Sequence, residues 1–142
     1  MLKNIDPLLT PELLRNFREM RPGDEIVVAD ANFTAMSLAA GKPVLHYPGV
    51  GLARTCQAVL SVFPLDAFVE QPVAYMQVNG TAPGYASAAQ REVLELLRAQ
   101  PDTADVRSEG VERFAFYERV KRAYAIIQTG EMQPYANFLF KK

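Results

Sequence analysis

Gly23-Asp24-Glu25-Ile26-Val27-Val28-Ala29-Asp30-Ala31-Asn32-Phe33 is the stretch on which the fold turns. Ile26, Val27 and Val28 are β-branched and apolar at consecutive positions. A strand made of them has to be covered on both faces, as happens in a sheet with helices on each side. Asp30 then falls at the carboxyl end of that strand, where open α/β sheets hold their ligands. A carboxylate followed by a small residue, the amide of Asn32 and the ring of Phe33 has the chemistry of a strand end that binds a sugar.

The flanking segments extend this reading. Thr10-Pro11-Glu12 ahead of Leu13, Leu14 and Phe17 supplies an N-cap, a proline at the first helical position and an apolar stripe, predicting a helix over Pro11 to Met20. Pro22-Gly23 ends it and leads into the strand. A second strand is expected at Pro43 to Tyr47, and a helix at Leu52 to Phe63, where Leu52, Cys56, Val59, Leu60 and Phe63 share one face. A strand at Val73 to Val78 and a helix at Ala86 to Ala99 follow. Pro101 to Gly110 reads as a polar connector with a short strand near Val106. Then come a helix from Val111 to Arg122, a strand from Tyr124 to Gln128, a turn at Thr129-Gly130 and a last strand at Asn137 to Phe140. This alternation predicts a three-layer α/β/α fold around a mostly parallel or mixed central sheet, with residues 1–142 as one domain.

Composition excludes several classes. The chain has 142 residues, enough to bury about 70% of its unfolded surface without staples. Charged residues make up 22% and the net charge is -1, so there is no basic excess to release counterions from a nucleic acid. Cys56 is the only cysteine and His46 the only histidine, which disfavours a disulfide framework and the usual zinc sites, and suits a reducing cytoplasm. No leader-like run and no stretch of ~20 apolar residues is present, so neither export nor a membrane is expected. Phosphate-cradling, nucleophile-elbow and metalloprotease motifs are all missing. No cofactor and no metal is expected.

Three segments carry a resemblance. They are Met1-Leu2-Lys3-Asn4-Ile5 with Pro11-Glu12-Leu13-Leu14 leading into Gly23-Asp24-Glu25-Ile26 and Asp30-Ala31-Asn32-Phe33; Arg113-Phe114-Ala115-Phe116-Tyr117-Glu118-Arg119 running on to Ala125-Ile126-Ile127 and Thr129-Gly130-Glu131; and Pro134-Tyr135-Ala136-Asn137 ending in Lys141-Lys142. In order and spacing the chain resembles the L-fucose mutarotase and D-ribose pyranase family, and the Arg113 to Arg119 run looks like the fucose branch. The resemblance implies a cofactor-independent enzyme that interconverts anomers of a free monosaccharide through its open chain. It also implies a homo-oligomeric ring, a decamer being one option, with sites near subunit contacts. By the same resemblance Asp30 contacts sugar hydroxyls, Arg113 donates to the substrate, and Tyr135, Ala136 and Asn137 complete the pocket. The histidine such proteins keep before the Gly-Asp-Glu turn as proton donor is Pro22 here. Their second histidine, two residues after the aspartate, is Asn32. Neither replacement titrates near neutral pH, a departure that bears on catalysis rather than on binding or fold.

Each of these residues has a competing structural reading. Asp30 could cap the chain after its strand, Arg113 could be a solvated charge paired with Glu109 or Glu112, and Tyr135 could be ordinary core. Phe33 is open between packing and sugar stacking. Phe114, Phe116, Tyr117 and Tyr124 recur at helical spacing and are expected in helix packing; with Pro22 in the donor position, Asp30 is the catalytic candidate, and Asp30, Tyr117, Tyr135 or an ordered water is left to carry protons. His46 stands at the end of the second strand, where it is either a surrogate acid or a histidine without a role. Cys56 is expected in the core. The remaining alternatives are a ribose pyranase-like ring-form isomerase, a non-catalytic sugar-binding or regulatory member, and a ring subunit without a sugar ligand.

Overall fold

The computed structural model describes residues 1–142. In chain order the elements are α1 (Pro11–Glu19), β1 (Glu25–Ala29), α2 (Ala35–Leu38), β2 (Val44–Tyr47), α3 (Leu52–Leu60), β3 (Val73–Met76), α4 (Ala88–Ala99), β4 (Ser108–Val111), α5 (Arg113–Arg122), β5 (Ala125–Thr129) and β6 (Phe138–Lys141). The strands form one sheet in the order β2-β5-β1-β6-β3-β4. Every neighbouring pair is parallel except the two made by β6, which runs antiparallel to both β1 and β3. The expected three-layer architecture with a mixed sheet is the one observed.

Side-chain alternation along the strands divides the interior into two cores. Ile26 and Val28 of β1, Ala125 and Ile127 of β5, and Phe138 and Phe140 of β6 meet α1, α3 and α4 through Leu13, Phe17, Cys56, Val59, Val93 and Leu97. Val27, Ile126 and Leu139, pointing the other way, meet α2 and α5 through Leu38, Phe116 and Val120. Val27 and Val28 are both fully buried, on opposite faces, as the double-sided apolar run requires. Each large apolar side chain so buried contributes about 1.5–3 kcal/mol. The ends of α1 also follow the sequence: the Thr10 hydroxyl accepts from Leu13 N at 3.2 Å, and Lys142 Nζ donates to the carbonyls of Phe17 and Met20 at the far end.

Some elements differ from expectation. The strand expected near Val106 is β4, Ser108–Val111, and it displaces the start of the following helix to Arg113. Ser-Glu-Gly-Val has little strand preference of its own, and its parallel register with β3, from Val73↔Ser108 to Met76↔Val111, makes it a strand. Glu112 is then the N-cap of α5, accepting from the Phe114 and Ala115 N–H groups at 2.9 and 3.0 Å. Helix α2 was not foreseen, because four residues are too few to show a helical period. The other expected elements are present with shorter or shifted ends.

One connection positions the site. β5 and β6 are consecutive in the chain but have β1 between them, so the 130–137 segment crosses over the carboxyl end of β1. Its backbone is tied there by an Ala31 N–H donated to the Glu131 carbonyl at 2.8 Å. Gly130 begins the crossing against the Pro48 carbonyl, where a Cβ has no room.

Candidate functional site

The reversed direction of β6 brings its amino end to the same edge of the sheet as the carboxyl ends of β1 and β3. A cleft of about 460 Å³ lies at this edge. The segment after β1 supplies Asp30, Asn32, Phe33 and Thr34, β3 supplies Met76, α5 supplies Arg113 and Tyr117, and the crossing segment supplies Pro134, Tyr135 and Asn137. The volume lies at the small end of the usual range for ligand sites. Polar and aromatic groups converge in it.

Asp30 is the buried charge of the cleft, 5% exposed. Its backbone N–H donates to Asn137 Oδ1 at 2.9 Å, and its Oδ1 accepts the Asn32 N–H at 3.0 Å. Burial pushes its pKa above the usual carboxylate range. The Asn32 N–H, the Asn137 amide and the Ala136 N–H draw it partly back, and the Glu131 charge adds a small further rise. Removal from water therefore favours the proton, while the surrounding donors favour the anion. Gln128, on the neighbouring strand β5, fixes the segment that carries these groups by donating to the carbonyls of Phe33 and Ala31 at 2.8 and 3.2 Å.

Rings and a guanidinium form the opposite wall. Phe33 meets Phe116 and Tyr117 edge to face, with centroids 6.3 and 5.8 Å apart. Arg113 Nε donates to the Tyr117 hydroxyl at 3.0 Å, and its guanidinium lies 5.3 and 5.5 Å from the Phe114 and Tyr117 ring centres. Neither Glu109 nor Glu112 takes it as an ion-pair partner; Glu109 is bound by Arg119 instead. Arg113 is exposed, and beyond the Nε bond to Tyr117 its guanidinium makes no hydrogen bond or ion pair. Tyr135 has φ +61, the left-handed conformation that costs a residue with a side chain about 1–2 kcal/mol.

The structure brings together Asp30, Asn32, Phe33, Arg113, Tyr117, Tyr135 and Asn137. Three expected positions lie elsewhere. Ala136 is fully buried beneath the cleft and reaches it only through the N–H directed at Asp30. His46 is exposed on β2, an edge strand, and does not line the cleft, because Gln128 and β5 stand between it and Asp30. Pro22 is exposed before the amino end of β1, whereas Asp30 follows its carboxyl end. The five residues of β1 alone put more than about 13 Å between them at ~3.3 Å per residue. Among the aromatic residues expected in helix packing, Phe116 is core, but Phe114 is exposed beside Arg113 and Tyr117 faces the cleft. The wall residues Thr34, Met76 and Pro134 and the supporting Gln90 and Gln128 were not singled out from sequence. Ser87-x-x-Gln90 is legible as a capping box, yet that pattern says nothing of what lies beyond the glutamine.

No three His, Cys, Asp or Glu side chains gather as a metal site requires, and no helix is long and apolar enough to cross a membrane. Fold and cleft together define an α/β domain whose candidate site lies where a crossing loop covers a strand's carboxyl end, the place where open α/β sheets hold ligands. The chain belongs to the RbsD / FucU transport protein family, which it matches over residues 3–142. It is 40% identical over 142 residues to an L-fucose mutarotase of Actinobacillus pleuropneumoniae, covering 100% of this chain and 96% of that one. Among solved structures it resembles FucU from Bifidobacterium longum, with TM-score 0.88 and 36% identity over 99% of this chain and 97% of that one. It also resembles the fucose mutarotase from Streptococcus pneumoniae solved in complex with L-fucose, with TM-score 0.78, 34% identity and coverage of 99% and 97%.

Proposed function

We propose that the cleft binds a free monosaccharide, L-fucose or a close relative, and that the chain interconverts its anomers by cofactor-independent ring opening. The observation that carries this reading is the buried Asp30 carboxyl, raised in proton affinity and placed among hydrogen-bonding groups and rings in a cleft of monosaccharide size. Ring opening removes the proton from the anomeric hydroxyl, breaks the bond between the anomeric carbon and the ring oxygen, and delivers a proton to that oxygen. Closure on the other face of the aldehyde reverses the same transfers. A carboxyl group can accept the proton from one oxygen and return one to the other, provided the sugar is held against it. In this reading Arg113, Asn32 and Asn137 orient hydroxyls, and the Phe33, Tyr117 and Tyr135 rings cover the apolar face.

Pro22 supports a second reading, in which the chain binds a sugar without accelerating its mutarotation. Proline carries no proton, and in one subunit position 22 stands at the wrong end of β1. A group there would serve the cleft only from another copy of the chain, which fits the ring assembly that the resemblance implies. Exchange and saturation-transfer NMR on L-fucose and D-ribose separate the readings. Acceleration of anomer exchange by the wild type and its loss in Asp30→Asn support catalysis. Saturation transfer without faster exchange supports binding alone, and the absence of both effects with either sugar refutes the two together for these substrates.

A further inference from the structure

Gln90 lies in the first turn of α4 with no exposed surface, an unusual place for a long amide. Its Oε1 accepts the Ser87 N–H at 2.9 Å, closing the capping box at the start of the helix. Both hydrogens of its Nε2 are also used: one bond goes to the Met76 carbonyl at the carboxyl end of β3, the other to the Tyr135 carbonyl, each at 2.7 Å. The amide can face only one way, because Ser87 N–H must donate and the two carbonyls must accept. Met76 and Tyr135 both line the cleft. Tyr135 is also the cleft residue in the left-handed backbone region, which a tyrosine leaves readily unless its surroundings hold it.

We propose that Gln90 is a positioning residue for the sugar site, locking the strained Tyr135 backbone against the end of β3 so that the Tyr135 ring keeps its place in the cleft. This rests on the sugar reading of the cleft. Asn137 has ties of its own, its carbonyl accepting the Met76 N–H at 3.1 Å and its Oδ1 the Asp30 N–H at 2.9 Å, so the residue that depends on Gln90 is Tyr135. A helix cap alone needs only the Oε1 bond to Ser87. The two donor bonds are surplus to that role.

Gln90→Glu distinguishes the two roles, since glutamate keeps the capping acceptor and, ionised, loses both donors. Gln90→Met keeps the length, removes every polar bond and serves if the glutamate variant does not fold. Two readouts are needed. Backbone chemical shifts of Tyr135, measured without sugar, are expected to leave their left-handed pattern in either variant. Affinity for L-fucose by saturation-transfer NMR is expected to fall about tenfold in the wild-type background. In a Tyr135→Gly background, where glycine adopts the left-handed conformation freely and there is no ring to place, the same Gln90 substitutions are expected to change affinity less than twofold. Unchanged Tyr135 shifts, or equal losses of affinity in both backgrounds, overturn the proposal and leave Gln90 a helix cap. A wild type that binds no sugar refutes the sugar reading, and the backbone shifts then decide alone whether Gln90 holds Tyr135.

Discussion

Replacing Asn137 by leucine tests the energetics at the centre of the cleft. Asn137 is 2% exposed, and its Oδ1 takes the buried Asp30 N–H at 2.9 Å. Leucine matches its size but leaves that donor without a partner, at a cost of about 1–3 kcal/mol. With an unfolding entropy of about 2.1 cal/mol/K per residue, 142 residues give roughly 0.3 kcal/mol/K, so Tm is expected to fall by about 3–10 °C. The loss also depends on pH. The Asn137 amide helps to hold down the pKa of Asp30, which burial raises, so leucine pushes that pKa further up. A carboxyl with a raised folded pKa contributes stability that is fully present below its unfolded pKa and lost as pH rises through the folded value. The variant therefore suffers more above the folded Asp30 pKa than in acid below the unfolded carboxyl pKa, where the group is protonated in both states and only the orphaned N–H remains. Urea unfolding of wild type and variant from acid to neutral pH, with a carboxyl NMR titration of Asp30, measures both components. A Tm within 1 °C of wild type, or an Asp30 titration that does not move upward, would refute the reasoning.

Four further outcomes follow from the same structure. Relative to Asp30→Asn, the wild type is expected to gain stability as pH is lowered through the folded Asp30 pKa, which denaturant curves across that range will show. Phe116→Ala empties a fully buried ring site beside Phe33 and is expected to cost about 3–5 kcal/mol, or roughly 10–17 °C of Tm by scanning calorimetry. Arg113→Ala, at an exposed position, is expected to leave Tm within about 2 °C while weakening sugar binding about tenfold or more, a split that paired thermal and NMR binding measurements detect. Gly130→Ala sets a Cβ against the Pro48 backbone, where no flexible side chain can give way, and is expected to cost about 1–3 kcal/mol and to lower sugar affinity by shifting the crossing segment.

Much of the architecture is written in local chemistry. Ile26-Val27-Val28 demands cover on both faces of β1, Thr10-Pro11 starts α1, Pro22-Gly23 separates the two, and Asp30 follows the strand at the end where open α/β sheets hold ligands. These signals survive folding because neighbours in sequence create them. Asp30, Arg113, Tyr135 and Asn137 could accordingly be named as candidates from the chain alone. Strand β4 was misplaced because only its pairing with β3 makes Ser-Glu-Gly-Val extended.

What the tertiary structure alone decided is which of these groups meet. The antiparallel insertion of β6 between β1 and β3 sends residues 130–137 across the end of β1, and this sets Asn137 on the Asp30 backbone, 107 residues away in the chain. The same geometry puts Pro22 at the far end of the strand from Asp30, leaves His46 on an edge, and draws Gln90 from the start of α4 to hold Tyr135. Local sequence fixes the conformation of short segments. Their convergence depends on strand order and direction, which arise from burying both faces of the whole sheet at once.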